Sequence, residues 1–268
     1  GVITVPAKIF RDFISNLPEG LVSVDLNKDS LTVSMEKTSA KFNTVSADEY
    51  PDVPTLSPDL EILAIDSSLF VDAVKSVVFA AASDDTRPVF SGVFLSFLDG
   101  VFSVVASDGF RLSERVVKLD TDFGSTFSAV VPAKILLEVS RLISEDEPTY
   151  ISLDSRSNLV MIKNQDVVVG MRILEGQFPD YKKIIPQEHS LEVEMTSGDL
   201  LSAVRLADVF AQQVDNFMKI RFDPEGSVHI SALSPEAGEH TSSFTAAITG
   251  DPVEIFINSQ YLLDFLNN

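Results

Sequence analysis

Residues 5–10 read VPAKIF and residues 131–136 read VPAKIL, and how far this phrase repeats decides the fold. A long-range repeat is the first feature to test in a new chain, because it fixes the size of the structural unit. Val5 to Phe13 aligns without a gap on Val131 to Val139, an offset of 126 residues, and a further 126 lands on Ile257 to Phe265. The third copy loses the proline but keeps the apolar positions and an acid, so that Asp12, Glu138 and Asp264 correspond. Downstream, Tyr50-Pro51-Asp52 matches Phe178-Pro179-Asp180, and upstream Leu69 to Lys75 (LFVDAVK) matches Asp199 to Arg205 (DLLSAVR). The period is that of a domain. It predicts the back half of one unit at 1–57, a whole unit at 58–186 and the front of a third at 187–268, a fragment cut on both sides.

Within one unit the spacing predicts two helices separated by strands. Phe70, Val74, Val77 and Val78 fall at helical intervals in 67–82, with Ser67 or Ser68 as the cap. The second helix starts at the VPAK phrase, since proline is tolerated in a first turn where its missing N–H has no partner; Pro6 and Pro132 read as strand-to-helix joints. Short β-rich runs surround the helices, and Asp99-Gly100 between two of them is a hairpin signal. Asn27-Lys28-Asp29 and Asp223 to Gly226 mark two more turns. The class is α+β, with two helices burying a shared apolar face on antiparallel strands.

The chain has 268 residues and 45% apolar content, enough for one large or about two ordinary cores. No apolar run reaches the length of a membrane span. The absence of cysteine fits the reducing cytoplasm and removes thiolate chemistry. Forty acids against twenty bases give a net charge of −20, which opposes binding to a polyanion. Enzymatic signals are missing. The acidic clusters Asp84-Asp85, Asp120 to Asp122 and Glu145-Asp146-Glu147 lack a spacing that converges on a metal, and His189, His229 and His240 sit in unlike contexts. No nucleophile elbow, phosphate loop or dinucleotide fingerprint occurs. These residues call for no cofactor, no metal and no catalytic group.

Three further phrases carry a resemblance over essentially the whole chain: Ala106 to Leu112 (ASDGFRL), Gly176 to Pro186 (GQFPDYKKIIP) and Asp85 to Gly92 (DTRPVFSG). Together with the repeat they resemble the bacterial sliding clamp, the beta subunit of DNA polymerase III. The resemblance implies a non-catalytic processivity factor of three clamp domains per chain. Two such chains close head to tail into a ring around double-stranded DNA, with helices inside and sheets outside. Polymerase and clamp loader are then tethered by short apolar peptides. A DNA-independent interaction scaffold is the alternative, told apart by whether the parent protein is a closed dimer. One departure is Phe110, where the family usually has histidine.

The charge pattern suits a ring. The helical segments 5–16, 67–82, 131–143, 196–210 and 257–268 carry +1, 0, +1, −1 and −1, which cancel, so the whole −20 lies outside them. A near-neutral lining lets DNA slide without strong phosphate grip, although helices that simply average out give the same count. The expected DNA-facing bases are Lys8, Arg11, Lys75, Lys134, Arg141 and Arg205, with Arg87 on a loop at the rim; each is equally well an ordinary solvated base. Ser107 to Leu112 alone fits a plain hairpin with Leu112 in the core. The resemblance instead implies a groove lined by Phe90, Ser107, Gly109, Phe110, Arg111, Leu112 and Pro186, with Arg111 as a fixed donor to a bound peptide backbone.

Overall fold

The structure is a computed structural model that describes residues 2–50, 60–84, 86–119 and 126–268. Pro51, Asp52, Asp85 and Asp120 to Asp122 of the sequence reading lie outside these residues. The chain forms two compact units, Gly1–Pro54 and Thr55–Asn268.

In the first unit β1 (Ile3–Thr4) leads into α1 (Ala7–Ser15), followed by β2 (Ser23–Asn27), β3 (Ser30–Met35), β4 (Thr38–Asn43) and β5 (Val45–Ser46). β1 pairs antiparallel with β5, and β2-β3-β4 form a meander. The amphipathic face of α1 supplies Phe10 and Phe13, whose rings meet Phe42 edge-on at 5.3 and 5.6 Å over a small core of Leu31 and Val33.

The second unit begins with β6 (Ile62–Ile65), α2 (Ser67–Val78), β7 (Gly92–Leu98), β8 (Val101–Ser107), β9 (Leu112–Lys118) and β10 (Phe127–Pro132). It continues with α3 (Ala133–Leu142), β11 (Thr149–Asp154), β12 (Leu159–Asn164) and β13 (Val167–Arg172). The strands form two antiparallel sheets, β10-β7-β8-β9 and β13-β12-β11-β6, rather than one. Both share a single core with α2 and α3, in which Phe70, Val74, Leu95, Phe102, Leu136 and Ile151 are fully buried. Asp99 and Gly100 turn β7 into β8 with φ of 51° and 76°, the left-handed pair that a two-residue hairpin requires.

Two local expectations are corrected. The cap of α2 is Asp66, whose carboxylate accepts from Ser68 N at 2.9 Å and Leu69 N at 3.2 Å. Ser67 is turned inward instead, where its hydroxyl meets Glu147 O at 2.5 Å and Thr149 Oγ1 at 2.6 Å. The helix also stops at Val78, not at 82. Ala80 and Ala81 bond back only three residues, and the Ala82 N–H goes to Phe90 O at 2.8 Å, which ends the helical ladder.

The last part holds β14 (Leu191–Glu194), α4 (Ser197–Ala211), β15 (Phe217–Asp223), β16 (Ser227–Ser234), β17 (Gly238–Thr245), β18 (Ala247–Gly250), β19 (Val253–Asn258) and α5 (Ser259–Leu266). Strand order is β17-β16-β15-β19, with β14 and β18 as a separate pair. The repeated joint has one geometry three times. Pro6, Pro132 and Asn258 each cap a helix from extended backbone, with ψ of 103°, 122° and 121°. Proline thus stands at the cap, one residue before the first turn. Asn258 does the same work with its side chain, accepting from Gln260 N at 2.9 Å.

Candidate functional site

The turn between β8 and β9 is built by its own short polar side chains. Ser107 Oγ donates to Arg111 O at 2.7 Å and accepts from Gly109 N at 3.0 Å, so Ser107 is a buried strut of the turn and not the open lining residue expected from the resemblance. Asp108 Oδ1 accepts from the Phe110 and Arg111 N–H groups at 2.9 and 3.0 Å. Gly109 has φ 92°, a backbone conformation that favours glycine, and a Cβ there would lie 2.9 Å from Arg87 Nη1 and push the end of that side chain aside. The turn leaves Phe110 81% exposed.

Around this turn an apolar shelf forms. Leu112 packs half-buried in a cluster with Val105, Val130, Phe178 and Tyr181. Phe178 stacks on Phe94 at 5.2 Å and meets Phe90 at 6.3 Å. Arg87 closes one side: its Nη2 donates to Asp108 O at 2.8 Å and its guanidinium lies 4.6 Å from the Phe90 ring. By geometry Arg87 therefore belongs with the shelf, whereas the sequence placed it with the DNA-facing bases. Tyr181 anchors the segment beneath by donating to Glu114 Oε1 at 2.6 Å, and burial, then that bond, pushes its phenol well above the ordinary range. Pro186 is exposed and takes no part in this cluster's ring or core contacts.

Arg111 is held on every side. Nε donates to Asp108 Oδ2 at 3.0 Å, Nη1 to Asp264 Oδ2 at 2.5 Å and Nη2 to Phe79 O at 2.6 Å. The Tyr261 ring lies 4.7 Å from its guanidinium carbon. With its side chain 19% exposed, Arg111 is a joint between elements and not the open backbone donor expected from the resemblance.

The helices carry the other expected set. Lys75, Lys134 and Arg141 are exposed and border one cleft of about 430 Å³ between α2 and α3. Arg11 pairs with Asp12 at 2.7 Å and Arg141 with Glu138 at 2.5 Å, while Arg205 donates to Asn267 Oδ1 at 2.7 Å. Among the described residues Lys8, Lys75 and Lys134 make no ion pair. Such a face can meet phosphates without a base-reading group. Among the described residues, no three His, Cys, Asp or Glu side chains converge on a metal position. His229 lies 3.2 Å from Asp223, His189 3.8 Å from Glu192, and His240 stacks on Phe210 at 6.0 Å. No described helix is long and apolar enough to cross a membrane.

Helix pairs sharing antiparallel sheets, repeated along one chain, define the DNA-clamp architecture. The chain is similar, at a TM-score of 0.90 and 24% identity, to the DNA polymerase III subunit beta of Pseudomonas aeruginosa, covering 99% of this chain and 72% of that one. The sliding clamp structure from Bacillus subtilis gives 0.90 at 28% identity, with 99% and 70% covered. Family models settle the membership: the DNA polymerase III beta subunit central domain matches residues 64–180 and its C-terminal domain residues 182–268. The chain belongs to the beta sliding clamp family, the beta subunit of DNA polymerase III, a non-catalytic processivity factor acting with DNA and polymerase. Beta sliding clamps of Bacillus subtilis and Synechococcus elongatus are 28% and 29% identical to it, over 99% of this chain and 71% and 72% of theirs.

Sequence reading missed Asp264 and the Phe79 carbonyl as partners of Arg111, and the Phe178–Tyr181 segment as the support of the shelf. Asp264 was visible only as an acid repeated with Asp12 and Glu138.

Proposed function

We propose that this chain serves in a homodimeric ring in the cytoplasm that encircles duplex DNA without sequence preference. It tethers the polymerase alpha subunit and the clamp loader through short apolar peptides docked beside the Ser107–Leu112 turn. The observation that carries the groove is the convergence of Phe90, Gly109 and Leu112, by way of Arg87 and Phe178, on one preorganised apolar shelf. Phe110 stands at its rim, Arg111 braces it, and Pro186 is assigned to its margin on the resemblance alone. Lys8, Arg11, Lys75, Lys134, Arg141 and Arg205 are the proposed phosphate-facing bases, with Lys8, Lys75 and Lys134 carrying the largest share because no acid pairs with them among the described residues. The proposed domain limits are 1–57, 58–186 and 187–268.

The test is titration of the full-length protein with a peptide ending in Leu-Phe. Leu112→Asp places a charge in the apolar shelf and is expected to weaken binding by about 2 kcal/mol or more. Because Leu112 also packs internally, Phe90→Ala is measured beside it, with thermal melting of both. Unchanged affinity in two folded variants leaves the groove without its site. Sizing of the full-length protein addresses the ring, which requires a dimer.

A further inference from the structure

Three acids occupy equivalent places in the repeat, and two of them are paired within their own helix: Asp12 with Arg11 and Glu138 with Arg141. Asp264 is different. α5 contains no base, and its carboxylate reaches Arg111, 153 positions away on the β8–β9 turn. The guanidinium there spends each nitrogen on a different element: Nε on Asp108 in the turn, Nη1 on Asp264 in α5, Nη2 on Phe79 O at the end of α2. Tyr261 of α5 covers one face at 4.7 Å. A planar fork of fixed donors suits this arrangement, and an ammonium would lose its directions.

We propose that Asp264 is a positioning residue for the peptide groove. It locks Arg111, and through Arg111 the whole Ser107–Leu112 turn, to α5. The groove then holds its shape only while the residues of 64–180 and those of 182–268 stay latched at this point. This rests on the groove reading above and deepens it. The pair is partly buried, at 19% and 39% exposure, so removing the Asp264 charge leaves a poorly solvated guanidinium with Asp108 as its remaining acid among the described residues. Arg111 N and Phe110 N both hang on Asp108, the second carboxylate of the same guanidinium, so a loosened Arg111 side chain removes one of the contacts that aim this carboxylate and detaches the turn from α5.

The test uses the full-length protein, a synthetic peptide ending in Leu-Phe, and nitrogen-15 spectra of the Arg111 Nε–H. Asp264→Asn is expected to weaken the peptide about tenfold, discounted from a fully buried pair for the exposure of Asp264. It is also expected to speed solvent exchange of the Arg111 Nε–H. Asp264→Glu restores part of both, and Glu138→Gln, the equivalent acid with a local partner, changes neither. Wild-type affinity in folded Asp264→Asn overturns the proposal and leaves the groove in place. So does a lowered melting temperature with peptide affinity and Nε–H protection intact, the signature of a merely structural contact. If the wild type itself takes no peptide, the groove and the positioning role fall together.

Discussion

Arg87 separates two roles that sequence alone leaves merged. As a DNA-rim base it acts by charge; as a shelf residue it acts through its planar fork, stacked 4.6 Å from Phe90 and bonded to Asp108 O at 2.8 Å. The stack at an exposed site is worth about 0.5–1 kcal/mol and the hydrogen bond about 0.5–1.5 kcal/mol. Losing both in Arg87→Ala should therefore cost about 1–2.5 kcal/mol of order between the two loops, roughly 5–70-fold in an equilibrium that needs them together. Calorimetric peptide titration of the full-length protein should show a loss within that range. Arg87→Lys should recover little, since an ammonium keeps the charge but not the fork. The salt dependence of DNA association supplies the opposing readout, because one lost phosphate contact lowers the slope by about 0.9. If Arg87→Ala binds peptide like the wild type while that slope falls, and Arg87→Lys restores the slope, the shelf assignment is refuted and Arg87 returns to the rim.

Replacing Lys75 and Lys134 together by alanine should lower the DNA salt slope by about 1.8 for each protomer of the ring, without changing peptide affinity. An unchanged slope would place the α2–α3 face away from phosphate. Asn164, 1% exposed, accepts from Ser144 N at 2.9 Å and donates to Glu147 O at 3.0 Å and Ser144 O at 3.1 Å. Asn164→Ala should destabilise by about 2–4 kcal/mol in urea unfolding, and a loss under 1 kcal/mol would mean the loop finds other partners. Tyr181 has its folded pKa raised above the ordinary 10.0, so its contribution to stability is complete below pH 10 and drains away as pH rises toward the folded value. Thermal melts above pH 10 should fall more steeply for the wild type than for Tyr181→Phe; parallel curves would contradict the buried bond to Glu114.

The repeat was legible because it is written in residues with strong backbone preferences. Proline fixes φ near the value a helix cap needs, so the joints at Pro6 and Pro132 could be read directly, and the Asp99-Gly100 hairpin likewise. The α2 cap was misread by one or two residues because Ser67, Ser68 and Asp66 all have capping side chains, and only burial decides which faces the free N–H groups. The end of α2 was missed for a related reason. Ala80 to Ala82 are good helix formers, and what takes the Ala82 N–H out of the ladder is a distant acceptor, Phe90 O. At the site, the turn chemistry of Ser107, Asp108 and Gly109 is local and visible. Arg111's partners are not, since Phe79 and Asp264 lie 32 and 153 positions away. An arginine on a turn reads as an available donor until the fold shows what it is already holding.

Phe110 stands 81% exposed on a turn that two Asp108 hydrogen bonds hold in place. The ring is thus open to solvent on a turn already held by hydrogen bonds, and a partner that covers it releases its hydration water at little cost in ordering that backbone. Such an event has a calorimetric signature. Burying a phenyl ring removes on the order of 150 Å² of apolar surface, which corresponds to a heat-capacity change of roughly −70 cal/mol/K from this one side chain. Association at this rim should therefore grow more exothermic with warming, and a Phe110→Ala protein should lose about that part of the temperature dependence.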